Sequence, residues 1–144
     1  MISITRLRLR SVWILPQFLW LNERIARQVT RSPGFRRGKL LADRKLTFWT
    51  VTMWDSEASM RLFRDTAAHR EALPKLLQWC DEAAVAQNTT WQEIPSWTEL
   101  HSWIINYGRP SRVRFPSRAH AMMDFPLPAS RLERTLERDS MLRE

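Results

Sequence analysis

The sequence predicts one α+β domain, an antiparallel sheet interleaved with helices in the order strand, helix, strand, strand, helix, strand. Three observations predict it. Side chains alternate with a period of two along the first residues and again between 35 and 54. Apolar residues recur at helical spacing in the stretches that separate these runs. Turn formers, Ser32-Pro33-Gly34 and Asp43-Arg44-Lys45, punctuate the boundaries. A chain of 144 residues fits one such domain and leaves little for a second.

Ile2 to Trp13 reads as the first strand. Ile4, Arg6, Arg8 and Arg10 alternate with Thr5, Leu7 and Leu9, so arginines share one face and leucines the other. A helix follows from Pro16 to Thr30. Proline is tolerated in a first turn, where its missing N–H would be unpaired. Phe18, Leu21, Ile25 and Val29 make its apolar stripe. Phe35 to Ala42 and Leu46 to Trp54 form a hairpin, the latter strand rich in β-branched and aromatic residues. Asp55-Ser56-Glu57 opens the second helix, with Met60 and Phe63 facing inward. That helix breaks near Thr66 and resumes around Ala68, and Pro74 predicts a kink or restart at Leu73. Glu82 to Trp91 is the fourth strand. The order is the split βαβ, ferredoxin-like arrangement.

Ser96-Trp97-Thr98-Glu99 matches a capping box and opens an added helix over 96–107, ended by Gly108. The domain therefore spans 1–108. Residues 109–144 form a Pro- and Arg-rich extended tail, with Ser130 to Glu144 a short charged helix where docked.

Composition narrows the function classes. Three glycines leave no glycine-rich phosphate loop, and one cysteine, Cys80, allows neither an intrachain disulfide nor a thiolate metal site. The net charge of +8 invites a nucleic-acid reading. No long basic run occurs, however, and acidic residues interleave in the helices, so nucleic acid is not the favoured partner. Val12 to Leu21 starts like a secretory leader, but Pro16 and Gln17 interrupt it. No stretch approaches the ~20 apolar residues of a membrane span. A cytoplasmic protein without a membrane partner is expected.

Trp49, Val51 and Met53 lie on one side of the third strand, Phe48 and Trp54 on the other. Both sheet faces should be buried, yet two helices cover one. A homodimer closing sheet against sheet is the expected solution. The added helix or the tail covering that face is the competing one.

The stretch from Phe18 to Trp91 resembles the antibiotic-biosynthesis-monooxygenase-like families of the dimeric α/β-barrel superfamily. Pro33-Gly34-Phe35 looks like the turn into their second strand, and Trp54-Asp55-Ser56-Glu57 like their strand-three exit. Ala68-His69-Arg70 and Trp79-Cys80-Asp81-Glu82-Ala83 look like a bacterial branch of it. The resemblance implies a ferredoxin-like dimeric barrel and oxygenase-like chemistry without a cofactor. Haem degraders of the superfamily use an Asn, a Trp and a His in one pocket. Here Phe63 stands at the Trp position, His69 falls about a turn early, and the first strand offers arginines where the Asn belongs. The haem pattern is not supported.

His69 is the candidate catalytic residue, a base toward a phenolic substrate, or else a helix-end His bonding a backbone carbonyl. Trp49, Trp54, Phe63 and Arg8 are candidate ligand-binding residues, since aromatic rings suit conjugated ligands. For Arg6, Arg8 and Arg10 an exposed strand end comes first, pairing across an interface second, and anion binding third. His101 and His120 show no ligand spacing with each other or with His69, so no metal site is expected. Cys80 reads as a small core residue. The functional expectation is a cofactor-independent monooxygenase-like protein acting on an aromatic or conjugated small molecule. The alternative is a non-catalytic homodimer that binds such a molecule.

Overall fold

A computed structural model describes residues 1–129 and 132–139. The core unit is β1 (Ile2–Leu9), α1 (Leu15–Thr30), β2 (Phe35–Asp43), β3 (Thr47–Trp54), α2 (Glu57–Arg64), α3 (Ala67–Trp79) and β4 (Cys80–Asn88). The segment after it adds α4 (Trp97–Tyr107), β5 (Arg109–Pro110) and β6 (Leu132–Glu137). The six strands form one antiparallel sheet in the order β5-β4-β1-β3-β2-β6. Its four inner strands have the ferredoxin-like βαββαβ topology expected from the sequence.

Several boundaries differ. β1 stops at Leu9, because Ser11 caps a short 3-10 turn over Val12–Ile14 by accepting from the Trp13 N–H. β4 begins at Cys80 and ends at Asn88. α3 runs unbroken through Pro74. Pro74 and Arg70, whose carbonyl loses its helical donor, both lie on the solvent side, where water can replace the bond.

The tail departs most from expectation. Within the predicted helix 130–144, residues 132–137 are instead a strand, while Ser130, Arg131 and 140–144 lie outside the described residues. β6 lies against β2, from Arg37↔Glu137 to Ala42↔Leu132. An edge strand offers a row of unpaired backbone groups, and two leucines cannot hold an isolated helix. Leu136 supplies the apolar anchor, 3% exposed among Val29, Phe35 and Met60. β5 closes the other edge through Ala84↔Pro110 and Val85↔Arg109.

Alternation along the strands sorts side chains onto two unlike faces. One carries Ile2, Ile4, Trp49, Val51, Ala84 and Ala86, all 5% exposed or less. Leu100 and Ile104 of α4, with Met123 and Phe125 beyond it, pack directly upon them. The face expected to need a partner is thus closed by the chain's own later segment, the competing solution.

The arginines follow from this closure. Arg6 is buried, not part of an exposed strand end. Its Nη1 donates to Glu82 Oε1 at 2.8 Å, and its guanidinium lies 4.0 Å from the centre of the Phe125 ring. Burial lowers the Arg6 pKa despite the hydrogen bond and charge of Glu82. Arg8 donates to both oxygens of Asp81 and also reaches Glu82 Oε2 at 3.0 Å. The Asp81 hydrogen bonds raise the Arg8 pKa. Ser117 donates to Glu82 as well, tying the later segment to the strand ends. Arg10 remains exposed and bonds the Gln78 carbonyl. Pairing, ranked second, is realised, but within one chain.

Candidate functional site

The opposite face of the sheet is built differently. Its cross-strand register puts Gln87, Ser3 and Thr52 in one row, and Val85, Thr5, Thr50 and Leu40 in the next. Threonine suits a strand because its branched Cβ fits the pleat. Its hydroxyl also leaves the floor polar. Above this floor, α1, α2 and α3 supply an apolar wall that includes Phe18, Ile25, Met60, Phe63 and Leu76. A cavity of about 200 Å³ remains between wall and floor. Apolar walls with few polar groups are the usual make-up of small-molecule sites.

His69 lies in the first turn of α3 and lines this cavity. The Arg64 carbonyl is 3.1 Å from its Nδ1. A carbonyl only accepts, so Nδ1 carries the proton and Nε2 is the basic nitrogen of the neutral ring. Its ring centroid sits 5.0 Å from that of Phe63. Desolvation lowers the His69 pKa, and the nearby Arg64 charge adds to this, opposed by the Arg64 carbonyl and by Asp65. The imidazole is therefore neutral at pH 7, the state a general base requires.

The turn that presents His69 is held from α1. Gln28 Nε2 donates to the carbonyls of Phe63 and Thr66, at 3.1 and 2.9 Å. Gln28 Oε1 accepts from the His69 N–H at 2.9 Å. One amide thus fixes the end of α2 to the start of α3. Ala67, between them, has φ 48°, a left-handed backbone that costs a residue with a Cβ roughly 1–2 kcal/mol. Gly34 makes the neighbouring close approach. It has φ 84°, and a Cβ there would meet Ser59 Oγ of α2 at 2.3 Å.

The candidates named from sequence divide between the two faces. His69 and Phe63 line the cavity. Trp54 sits behind Phe63, ring centroids 5.3 Å apart, and its Nε1 donates to Thr52 Oγ1 of the floor. Trp49 and Arg8 do not line the cavity. Trp49 alternates to the other face and packs on Trp97 and His101. Arg8 is engaged by Asp81 and Glu82. The remaining histidines hold the later segment: His101 Nε2 lies 2.8 Å from the Phe125 carbonyl, and His120 Nε2 lies 2.7 Å from that of Ser111. Cys80 is buried in the core and its thiol is pushed up to about 12, mainly by desolvation. Among the described residues, no three His, Cys, Asp or Glu side chains gather to hold a metal ion.

Sequence reasoning missed Asn22, Gln28, Arg109, Ser111 and the threonine floor. The floor had a signal, because Thr50 and Thr52 keep a period of two in β3. Arg109 and Ser111 had none, since only the pairing of β5 with β4 brings them to the cavity. A second hollow, of about 420 Å³, is lined by Pro16, Gln17, Trp20, Leu21, Lys75 and Trp79. It is an open depression on the surface of α1 and α3, without a catalytic group.

No family model and no curated protein sequence matches the chain. Solved structures do. One described as an antibiotic biosynthesis monooxygenase matches with a TM-score of 0.55 at 14% identity, over 66% of this chain and 100% of that one. SnoaB, a cofactor-independent oxygenase from Streptomyces nogalater, matches with a TM-score of 0.53 at 18% identity, over 66% of this chain and 96% of that one. The chain has the antibiotic-biosynthesis-monooxygenase-like fold. Both structures are covered almost whole, leaving about a third of this chain outside the match.

Proposed function

We propose that this chain, which carries the antibiotic-biosynthesis-monooxygenase-like fold, is a cofactor-independent oxygenase acting on an aromatic or conjugated small molecule in the helix–sheet cavity. The observation that carries the reading is His69: a neutral imidazole lining an apolar cavity, its Nδ1 held by a carbonyl and its Nε2 left basic. Nε2 would take a proton from a phenolic or similarly acidic C–H/O–H system. The resulting carbanion, or the ring carbon of the phenolate, would give its electrons to dioxygen and bond to it as a peroxide. That peroxide would take back the proton from Nε2 and lose water to leave a carbonyl, so the reading calls for no bound cofactor. The apolar walls would exclude water and raise the strength of each polar contact inside. The two matched structures, an antibiotic biosynthesis monooxygenase and a cofactor-independent oxygenase, support the reaction class.

Oxygen consumption with a panel of hydroxynaphthalenes and hydroquinones tests the reading. Wild type should turn over at least one, and His69→Ala should lose about 10²–10⁴-fold in rate, the usual contribution of a positioned base. Equal rates for both proteins would end the proposed role. Binding without oxygen uptake by wild type would favour the ligand-binding alternative.

A homodimer, the expected assembly, would not use the sheet face without displacing α4. The exposed Trp13 and Trp20, 87% and 63% accessible, are the largest of the exposed apolar side chains that could serve it. Light scattering on wild type and a Trp13→Ser, Trp20→Ser double variant checks this. A dimer that persists in the variant would point elsewhere.

A further inference from the structure

We propose that the ligand is a one- or two-ring aromatic carboxylic acid, with Arg109 and Ser111 holding its carboxylate at the β4 edge of the cavity. This rests on the cavity reading above and adds the chemical class.

Among the described residues the cavity lining includes no Asp or Glu, but three residues that can carry positive charge: Arg64, His69 and Arg109. Two of them are accounted for. Arg64 Nε lies 3.2 Å from Asp65 Oδ1, which balances its charge. His69 is kept neutral by burial. Arg109 has no ion pair among the described residues. Its place is set by the backbone, through the Val85↔Arg109 pairing that brings β5 alongside the cavity floor. Beside it, Ser111 is fixed twice: its N–H donates to the Ala83 carbonyl at 2.8 Å, and its own carbonyl meets His120 Nε2 at 2.7 Å. The Ser111 hydroxyl has no partner among the described residues. An unspent guanidinium and an unspent hydroxyl thus share one edge of the cavity.

Those groups fit a carboxylate, which accepts from a guanidinium with both oxygens and from a hydroxyl as well. The rest of the lining, an apolar helical wall over a floor of neutral hydroxyls and amides, suits an otherwise uncharged ring body, because a second charged group would enter a space with no counter-charge. A volume of about 200 Å³ lies below the roughly 300–1,000 Å³ of drug-sized sites, which sets the one- or two-ring limit. Both recognition residues lie beyond β4, so the segment that closes one sheet face also selects the ligand on the other.

Calorimetric titration of the full chain with 2-naphthoate and its neutral isostere 2-naphthamide tests the proposal, using wild type, Arg109→Gln and Ser111→Ala. Arg109 is exposed at a sheet edge, so melting temperatures should confirm intact folds. Wild type should bind naphthoate at least tenfold tighter than naphthamide. Arg109→Gln should abolish that preference by weakening naphthoate far more than naphthamide, and Ser111→Ala should reduce it several-fold. Equal affinities in wild type, or an unchanged preference in Arg109→Gln, would overturn the carboxylate assignment while leaving the cavity reading standing. Failure of both compounds to bind would overturn the two together.

Discussion

Trp49 and Thr50 are consecutive on β3, yet one is sealed beneath α4 while the other forms the floor of a cavity. The contrast extends across the sheet. On the Trp49 side, aliphatic and aromatic groups fill the space, and the buried charges Arg6 and Glu82 are paired at 2.8 Å. On the Thr50 side, hydroxyls and amides line the floor and the helices stand off from it. One strand set thus presents a tightly packed face and a cavity-forming face by the alternation of its side chains alone.

Breaking the closed side should cost most. Trp49→Ala is expected to destabilise by about 3–5 kcal/mol, the range for emptying a buried aromatic site, read from the urea midpoint. A cost under 1 kcal/mol would mean that α4 does not hold this face. Glu82→Gln should follow at about 3 kcal/mol, because it leaves Arg6 buried without its counter-charge. The companion Arg6→Met, Glu82→Gln double variant should recover much of that loss, which sharpens the assignment to the unpaired charge.

The cavity side should respond more weakly, and to pH. His69 has a folded pKa below its ordinary 6.5, so the unfolded chain binds a proton that the folded chain refuses. Unfolding free energy should therefore rise with pH through the window ending near 6.5, and fall as acid is added. His69→Gln should flatten that slope when urea midpoints are compared at several pH values. An unchanged slope would contradict the half-buried, neutral imidazole. Smallest of all, Thr50→Val keeps the side-chain shape and should shift stability by less than about 1 kcal/mol, since surface and cavity positions without a buried bond tolerate such swaps. Its effect should appear in ligand affinity instead.

The inner part of this architecture was legible from residue order. Period-two runs, the turn formers and the Ser96 capping box located the elements because each is a local signal. The closing of the sheet was not legible. Trp49, Val51 and Met53 announced a buried face, but not whether a second copy or the chain's own α4 would bury it. The burial of Arg6 was hidden for the same reason, because Glu82 and Phe125 approach it only through long-range pairing. β6 was misread since a short charged segment takes its form from the edge that it docks against. At the cavity, His69 and Phe63 were found because a helix break beside a strand exit is visible locally. Arg109 and Ser111 were missed because they reach the cavity through a two-residue strand.

Crystals soaked with 2-naphthoate would test the division between the faces most directly. Density for the rings is expected between α1, α3 and the row containing Thr5 and Thr50, with α4 undisturbed on Trp49. Density beneath α4, or only in the open hollow beside Trp20, would contradict that division.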